Sequence, residues 1–364
     1  MKIYGIFRGV PGLGRVMSGI TLLNTLEKKF GEEIKVYTYM QGLSALKLFG
    51  YKNSVELYVT PREITSLGLD PVCKVSAEII NDILDWKPDI VLIDGEPLLT
   101  NLLSVCYDKN KIITLLNPSD LKNSALPKST SIFFSDAFLK GACAIVHGID
   151  CSNIEDYVSN ECNVYYINTI LRNKIIEMKK EKREKNQISC ILGGGSKSPT
   201  ESFINSTIRM GKNIIKAASI ENKFQYNIFC NDEIIFDALI EENKQRNVTI
   251  FKEIADVEEL YREAALVICR AGRNTTSEVL YLDIPIILMA AGNDYRASEQ
   301  KSNIGNIIRA YSKGADSFDN EDYNVLANKI REMISNQEFE NNFIPGNQKA
   351  VDIIIDQYNK NNLK

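Results

Sequence analysis

Short apolar runs alternate along this chain with longer stretches whose apolar positions recur at helical spacing. Near the N-terminus "KIYGIF" leads through "RGVPGLGR" into "VMSGITLLNTLEKKFG", which stops at Gly31. "IKVYTY", a helix near "GLSALKLFG", the long helix "VSAEIINDILDWK" and the strand-like run "DIVLID" follow, then "KIITLLN" and "CAIVHGI". The stretch 172–187, "RNKIIEMKKEKREKNQ", breaks the pattern: it is charged, with glutamates between its lysines, and reads as a solvated helix end and linker rather than a membrane-binding basic patch. The alternation then restarts with "QISCILGGG" and the helix "SPTESFINSTIRMGKNIIKAAS", where Ser198 and Glu201 have capping-box spacing. "FQYNIFC", "VTIFKEI", "VEELYREA", "ALVICRAG" and "IPIILMA" continue it.

This pattern predicts an α/β protein of two Rossmann-like domains, each a parallel sheet with helices on both faces. The expected boundaries are an N-terminal domain at 1–171, a linker at 172–187 and a C-terminal domain at 188–345. A final segment, 346–364, contains "NQKAVDIIIDQYNK", a helix able to cross back to the N-domain. Ligand space is expected at the carboxyl ends of the strands and in a cleft between the domains.

A length of 364 residues favours two cores over one. A formal net charge of −4 gives no support to nucleic-acid binding. Runs such as "IPIILMAA" fall short of a membrane span, and "MKIYGIFRG" reads as a strand rather than a secretion signal, so a cytoplasmic protein with at most peripheral membrane contact is expected. The eight cysteines are scattered without a CxxC pair and read as core thiols. The single histidine, His147, excludes a His-rich zinc site, and its place after "CAIV" reads as structural. No metal is required.

Three glycine loops carry the candidate chemistry. In "RGVPGLGRVMSG", Gly12 and Gly14 would let backbone N–H groups approach a bulky or anionic ligand. Met17 stands where a dinucleotide fingerprint needs its third glycine, which argues against a nicotinamide enzyme. In "LGGGSKSPTES", Ser196 precedes the lysine where an ATPase P-loop has glycine. What remains is a strand, flexible residues (Gly194 and Gly195 among them), a hydroxyl and a helix N-terminus suited to a phosphate. In "RAGRNTTSEVLYLDIPIILMA", Gly272 allows a turn after a strand, while Asn274, Thr275 and Thr276 open the next helix as donors to a diphosphate. Glu278, one turn further, can accept two hydrogen bonds from a vicinal diol such as a ribose. With Asp294, Glu299, Gln300 and Asn303 after the following strand, these residues suit a nucleotide-sugar.

"RAGRNTTSEVLYLDIPIILMA…EQKSN", "LGGGS", "GVPGLGR" and "KPDIVLIDGEP" together resemble the GT-B glycosyltransferases. Within them the chain is most similar to the branch of the bacterial UDP-N-acetylglucosaminyltransferase of peptidoglycan synthesis and related family 1 glycosyltransferases. The resemblance spans essentially the whole chain. It implies that Glu278 binds the ribose and that Gly272, Asn274, Thr275 and Thr276 face the diphosphate with Ser196 near it; Arg270 is counted among the donor-binding residues. Gln300, with Glu299, would hold sugar hydroxyls, and the backbone from Phe251 to Ile254 would meet the base. It also implies a UDP-sugar donor, TDP and GDP remaining open, and a small-molecule, glycan or lipid-linked acceptor.

One departure stands out. Many relatives carry a histidine after the first glycine loop, where this chain has Arg15, which cannot act as a base at neutral pH. Either Arg15 clamps an anion on donor or acceptor, or a carboxylate such as Asp94 or Glu96 takes the acceptor proton; both acids can equally be a strand-end cap. They share a face, as a metal pair would need, only if the strand persists through Gly95. Two alternatives stay open: a nucleotide-sugar hydrolase or epimerase on the same fold, and a non-catalytic nucleotide-sugar-binding subunit.

Overall fold

The structure, a computed structural model, describes residues 1–9, 12–31, 33–51, 69–122, 127–158, 161–193, 200–252, 257–292, 295–319, 322–335 and 340–363. It divides into two compact units, Met1–Arg172 with Pro345–Lys364, and Asn173–Ile344.

The first unit runs β1 (Lys2–Phe7), α1 (Gly14–Phe30), β2 (Glu33–Tyr37), α2 (Gly42–Leu48), α3 (Leu69–Trp86), β3 (Ile90–Asp94), α4 (Pro97–Cys106), β4 (Ile112–Leu116), α5 (Pro118–Leu121), α6 (Lys128–Phe138), β5 (Cys143–Gly148) and β6 (Asn163–Asn168). Its six strands form a parallel sheet in the order β2-β1-β3-β4-β5-β6. Every residue of β3, β4 and β5 is buried, as expected of a parallel sheet covered on both faces. On one face Val16, Ile20 and Leu23 of α1 pack with Ile3, Leu92 and Ile145. On the other, Ile79 and Ile83 of α3 and Leu99 and Leu103 of α4 cover Val91 and Ile93. Gly31 ends α1 in the left-handed region (φ 66°), its N–H bonding the Glu27 carbonyl at 2.8 Å.

The second unit runs α7 (Asn173–Met178), β7 (Gln187–Gly193), α8 (Glu201–Ile220), β8 (Gln225–Cys230), α9 (Glu233–Glu242), β9 (Val248–Phe251), α10 (Val257–Glu263), β10 (Ala264–Arg270), α11 (Arg273–Tyr281), β11 (Ile286–Met289), α12 (Tyr295–Tyr311), β12 (Ala315–Ser317) and α13 (Tyr323–Ser335). Its sheet is again parallel, in the order β12-β11-β10-β7-β8-β9. The last helix, α14 (Asn347–Asn362), belongs to the first unit: Ala350, Val351 and Ile354 enter the α1 core. The Asn347 amide accepts from Leu171 N–H (2.8 Å) and donates to Leu171 C=O (2.7 Å), and Gln357 donates to Asn110 C=O (2.8 Å).

Two local expectations differ from the structure. Helix α8 starts at Glu201 with Thr200 as its cap, Thr200 Oγ1 accepting from Phe203 N–H at 3.2 Å; Ser198 lies outside the described residues. The charged stretch after Arg172 is partly fixed to the second unit: Lys179 bonds the Asp283 carboxylate and the Tyr281 carbonyl, and Arg183 donates to the Asp283 carbonyl at 2.9 Å. Of the cysteines, Cys143, Cys151, Cys162, Cys190, Cys230 and Cys269 are buried free thiols and Cys106 is exposed. Among the described residues no helix is long and apolar enough to cross a membrane.

Ile354→Ala should leave a cavity between α14 and α1 and destabilise the protein by about 2–4 kcal/mol, read from urea denaturation.

Candidate functional site

In each sheet the strand order reverses once, and at such a point a parallel α/β sheet offers a crevice at its carboxyl edge. The reversal lies between β1 and β3 in the first sheet and between β7 and β10 in the second.

The first crevice holds a compact polar cluster. Asp94 ends β3 fully buried, and its Oδ1 accepts from Arg15 Nη1 at 2.5 Å. The other arm of Arg15 forks onto Asp120 at the end of α5, with Nη2 2.7 and 2.9 Å from its two oxygens. His147 Nε2, from β5, stands 4.0 Å from Asp94 Oδ2. Burial alone would lower the Arg15 pKa, but Asp120 and Asp94 outweigh it and hold the guanidinium charged well above its ordinary range. Arg15 thus bridges two protein carboxylates.

Glu96 points elsewhere. Strand β3 stops at Asp94 and Gly95 turns the chain at φ 84°, so the two acids do not share a strand face. A Cβ on Gly95 would lie 2.7 Å from Arg15 Cδ and 2.9 Å from Arg8 Cβ, so both backbone angle and space require glycine there. Beyond the turn, buried Glu96 accepts from Tyr39 Oη at 2.5 Å, and Arg8 donates to the Gly95 carbonyl at 3.3 Å. Burial pushes the Glu96 pKa up to about 7, opposed by the Arg8 and Arg15 charges and the Tyr39 hydrogen bond, and assisted by Asp94.

The second crevice assembles the stretch 270–278. Arg270, the last residue of β10, lies over the Phe203 ring at 4.6 Å, and a Cβ on Gly193, the last residue of β7, would come 3.2 Å from its Nη2. Gly272 caps α11 with no side-chain hydrogen bond. A Cβ there would meet only the Arg270 carbonyl at 3.9 Å, and one on Gly12 would meet nothing within 4 Å, so packing demands glycine at neither place. Asn274 and Thr275 are half-buried on the first turn, the former accepting from Arg273 Nε at 3.2 Å. Thr276 is fully buried, close to the Cys269 thiol. Glu278 is buried and accepts from Tyr261 Oη at 3.1 Å.

Around this edge, Gln300 Oε1 accepts from Ala291 N–H (3.0 Å) and Asn303 donates to the Ala271 carbonyl (2.9 Å), tying α12 to the ends of β11 and β10. Glu299 is half-buried beside Gln300. Phe251, exposed at the end of β9, stacks on Phe229 with centroids 4.9 Å apart. Gly14 opens α1; Gly194, Gly195, Ser196, Ile254 and Asp294 lie outside the described residues. The sequence reading did not single out Tyr39, Asp120, Phe203 or Tyr261, and it left His147 without a partner. None carries a local motif; each comes to its crevice on a different element.

Two Rossmann-like units, each with a polar crevice at its strand reversal, define a GT-B glycosyltransferase. Residues 169–357, just over half the chain, match the glycosyltransferase family 28 C-terminal domain, and the chain belongs to that family. It is 27% identical over 317 residues, 79% of this chain and 78% of the relative, to the UDP-N-acetylglucosamine–N-acetylmuramyl-(pentapeptide) pyrophosphoryl-undecaprenol N-acetylglucosamine transferase of Acetivibrio thermocellus. Among solved structures it is similar to Arabidopsis thaliana UGT89C1 complexed with UDP, at a TM-score of 0.70 and 12% identity over 98% of this chain and 99% of that one. UDP-GlcNAc 2-epimerase from Neisseria meningitidis bound to UDP-GlcNAc superposes at a TM-score of 0.65, with 15% identity over 99% and 100% of the two chains.

The raised Glu96 pKa carries a stability consequence. The folded state holds this proton more tightly than the unfolded chain, so its stabilising contribution is complete below about pH 4.5 and lost as pH rises through about 7. Glu96→Gln should match wild type near pH 4.5 and be the more stable by on the order of 2–3 kcal/mol above pH 8, measured as urea-unfolding free energies.

Proposed function

We propose that the protein moves a sugar from a UDP-linked donor to an acceptor hydroxyl, with the donor at the β7–β10 crevice and Glu96 as proton acceptor. The observation that carries this reading is the 270–278 stretch. Within nine residues it sets a guanidinium, a helix N-terminus with no side-chain cap and a buried carboxylate one turn further along. The N–H groups of the first turn of α11 and the Arg270 charge suit a diphosphate. Glu278 suits the two hydroxyls of a ribose, and the exposed Phe251 face suits the base. Glu299 and Gln300 stand on the helix assigned to the sugar. The UDP named with the Arabidopsis structure and in the Acetivibrio enzyme supports the nucleotide, and the acceptor named for the latter supports a glycan or lipid-linked acceptor.

In the transfer, the acceptor oxygen forms a bond to the anomeric carbon while the bond from that carbon to the diphosphate oxygen breaks. The leaving diphosphate takes the electron pair and is stabilised by Arg270 and the α11 N-terminus. The acceptor proton passes to a carboxylate. Asp94 is engaged by Arg15, whereas Glu96, with a pKa of about 7, is poised between holding and releasing a proton at neutral pH.

A thermal-shift titration tests the donor site. UDP at 100 times its Kd should add about 2.7 kcal/mol of stability, and Glu278→Ala should abolish the rise. A set of UDP-, TDP- and GDP-sugars that gives no shift would overturn the donor assignment. With donor and acceptor supplied, kcat/KM should climb as pH passes about 7, and Glu96→Gln should lower it roughly 10²–10⁴-fold and remove that limb. UDP release without any acceptor would assign the site to hydrolysis or epimerisation instead.

A further inference from the structure

Helix α10, which runs directly into β10, carries a residue that the donor assignment does not use. Tyr261 is fully buried, and its hydroxyl donates to Glu278 Oε2 at 3.1 Å. A buried carboxylate on a short helix can rotate about its side-chain torsions, and each mis-set rotamer misaligns both hydrogen bonds that a vicinal diol must make at once. A hydrogen bond from a fixed phenol removes that freedom. The Tyr261 ring is held without solvent access on α10, and the Leu260 carbonyl beside it accepts from Ser189 of β7, at 3.4 Å. The helix follows directly on β9 and the segment assigned to the base.

We infer that Tyr261 is a positioning residue: its hydroxyl holds the Glu278 carboxylate so that the site selects a ribonucleotide, with both 2′- and 3′-hydroxyls, over its 2′-deoxy counterpart. This rests on the reading of Glu278 as the ribose acceptor. Tyr261 touches no ligand itself and acts through the orientation of one carboxylate. The ratio of two affinities therefore reports its role better than either affinity alone.

The experiment is calorimetric titration of wild type, Tyr261→Phe and Glu278→Ala with UDP and with 2′-deoxyuridine diphosphate. Wild type should prefer UDP. Tyr261→Phe should weaken UDP about tenfold, the scale of a hydrogen bond to a charged group, while leaving the deoxy ligand within about twofold, so that most of the preference disappears. Glu278→Ala should erase the preference entirely. A Tyr261→Phe protein that weakens both ligands equally, or changes neither, overturns the positioning role while Glu278→Ala still upholds the donor site. Undiminished preference in Glu278→Ala sinks the ribose assignment and this inference with it. Partial unfolding of a variant lowers the fitted stoichiometry rather than the ratio of dissociation constants, so a stability loss does not mimic either result.

Discussion

Parallel strand pairing is the constraint from which both crevices follow. Each strand must return to the same end of its sheet before the next begins, so every β→α loop emerges at one edge. All ten strand pairs of the two sheets are parallel. Polar residues far apart in sequence, such as Arg15, Asp94, Asp120 and His147, are therefore delivered to one edge without any specific mutual attraction. The apolar strand interiors supply the cohesion; the edge is where the chain can hold charge.

The two crevices spend that freedom differently. In the first unit a single guanidinium engages two carboxylates, one of them fully buried, an arrangement tolerable only because each charge has an opposite partner in hydrogen-bonding contact. That leaves Glu96, across the Gly95 turn, as the acid whose charge is least compensated, and its raised pKa is the electrostatic signature. In the second unit the backbone does more: a helix terminus, a glycine cap and an arginine over the Phe203 ring.

How much of this could be read from the sequence follows from the range of each interaction. Strands such as "DIVLID" and "ALVICRAG" were legible because a doubly covered strand is apolar throughout, and the apolar run, the glycine and the polar residues after it placed the 270–278 stretch on a strand, a turn and a helix. Three features were not legible. The hydrophilic run after Arg172 reads as solvated, yet Lys179 and Arg183 are held by Asp283, about a hundred residues on. Thr276 reads as one of a run of donors, but it is fully buried, close to the Cys269 thiol, while its neighbour Thr275 stays half-buried. Tyr261 sits in "VEELYREA", which announces only an amphipathic helix; its bond to Glu278 needs two helices brought together by β10, the strand that joins them in the chain.

The placement of α14 bears on how the molecule is made. Residues 173–344 form the second unit entirely, whereas the first is interrupted and takes up Pro345–Lys364 after the interruption. During synthesis the second unit has its whole sequence available before Ala350, Val351 and Ile354 join the core around α1. The chain is thus nested like a parenthesis: its opening half emerges first and is sealed last. In the interval an apolar helix face is available to chaperones, or to another nascent chain, until translation reaches the residues that close it.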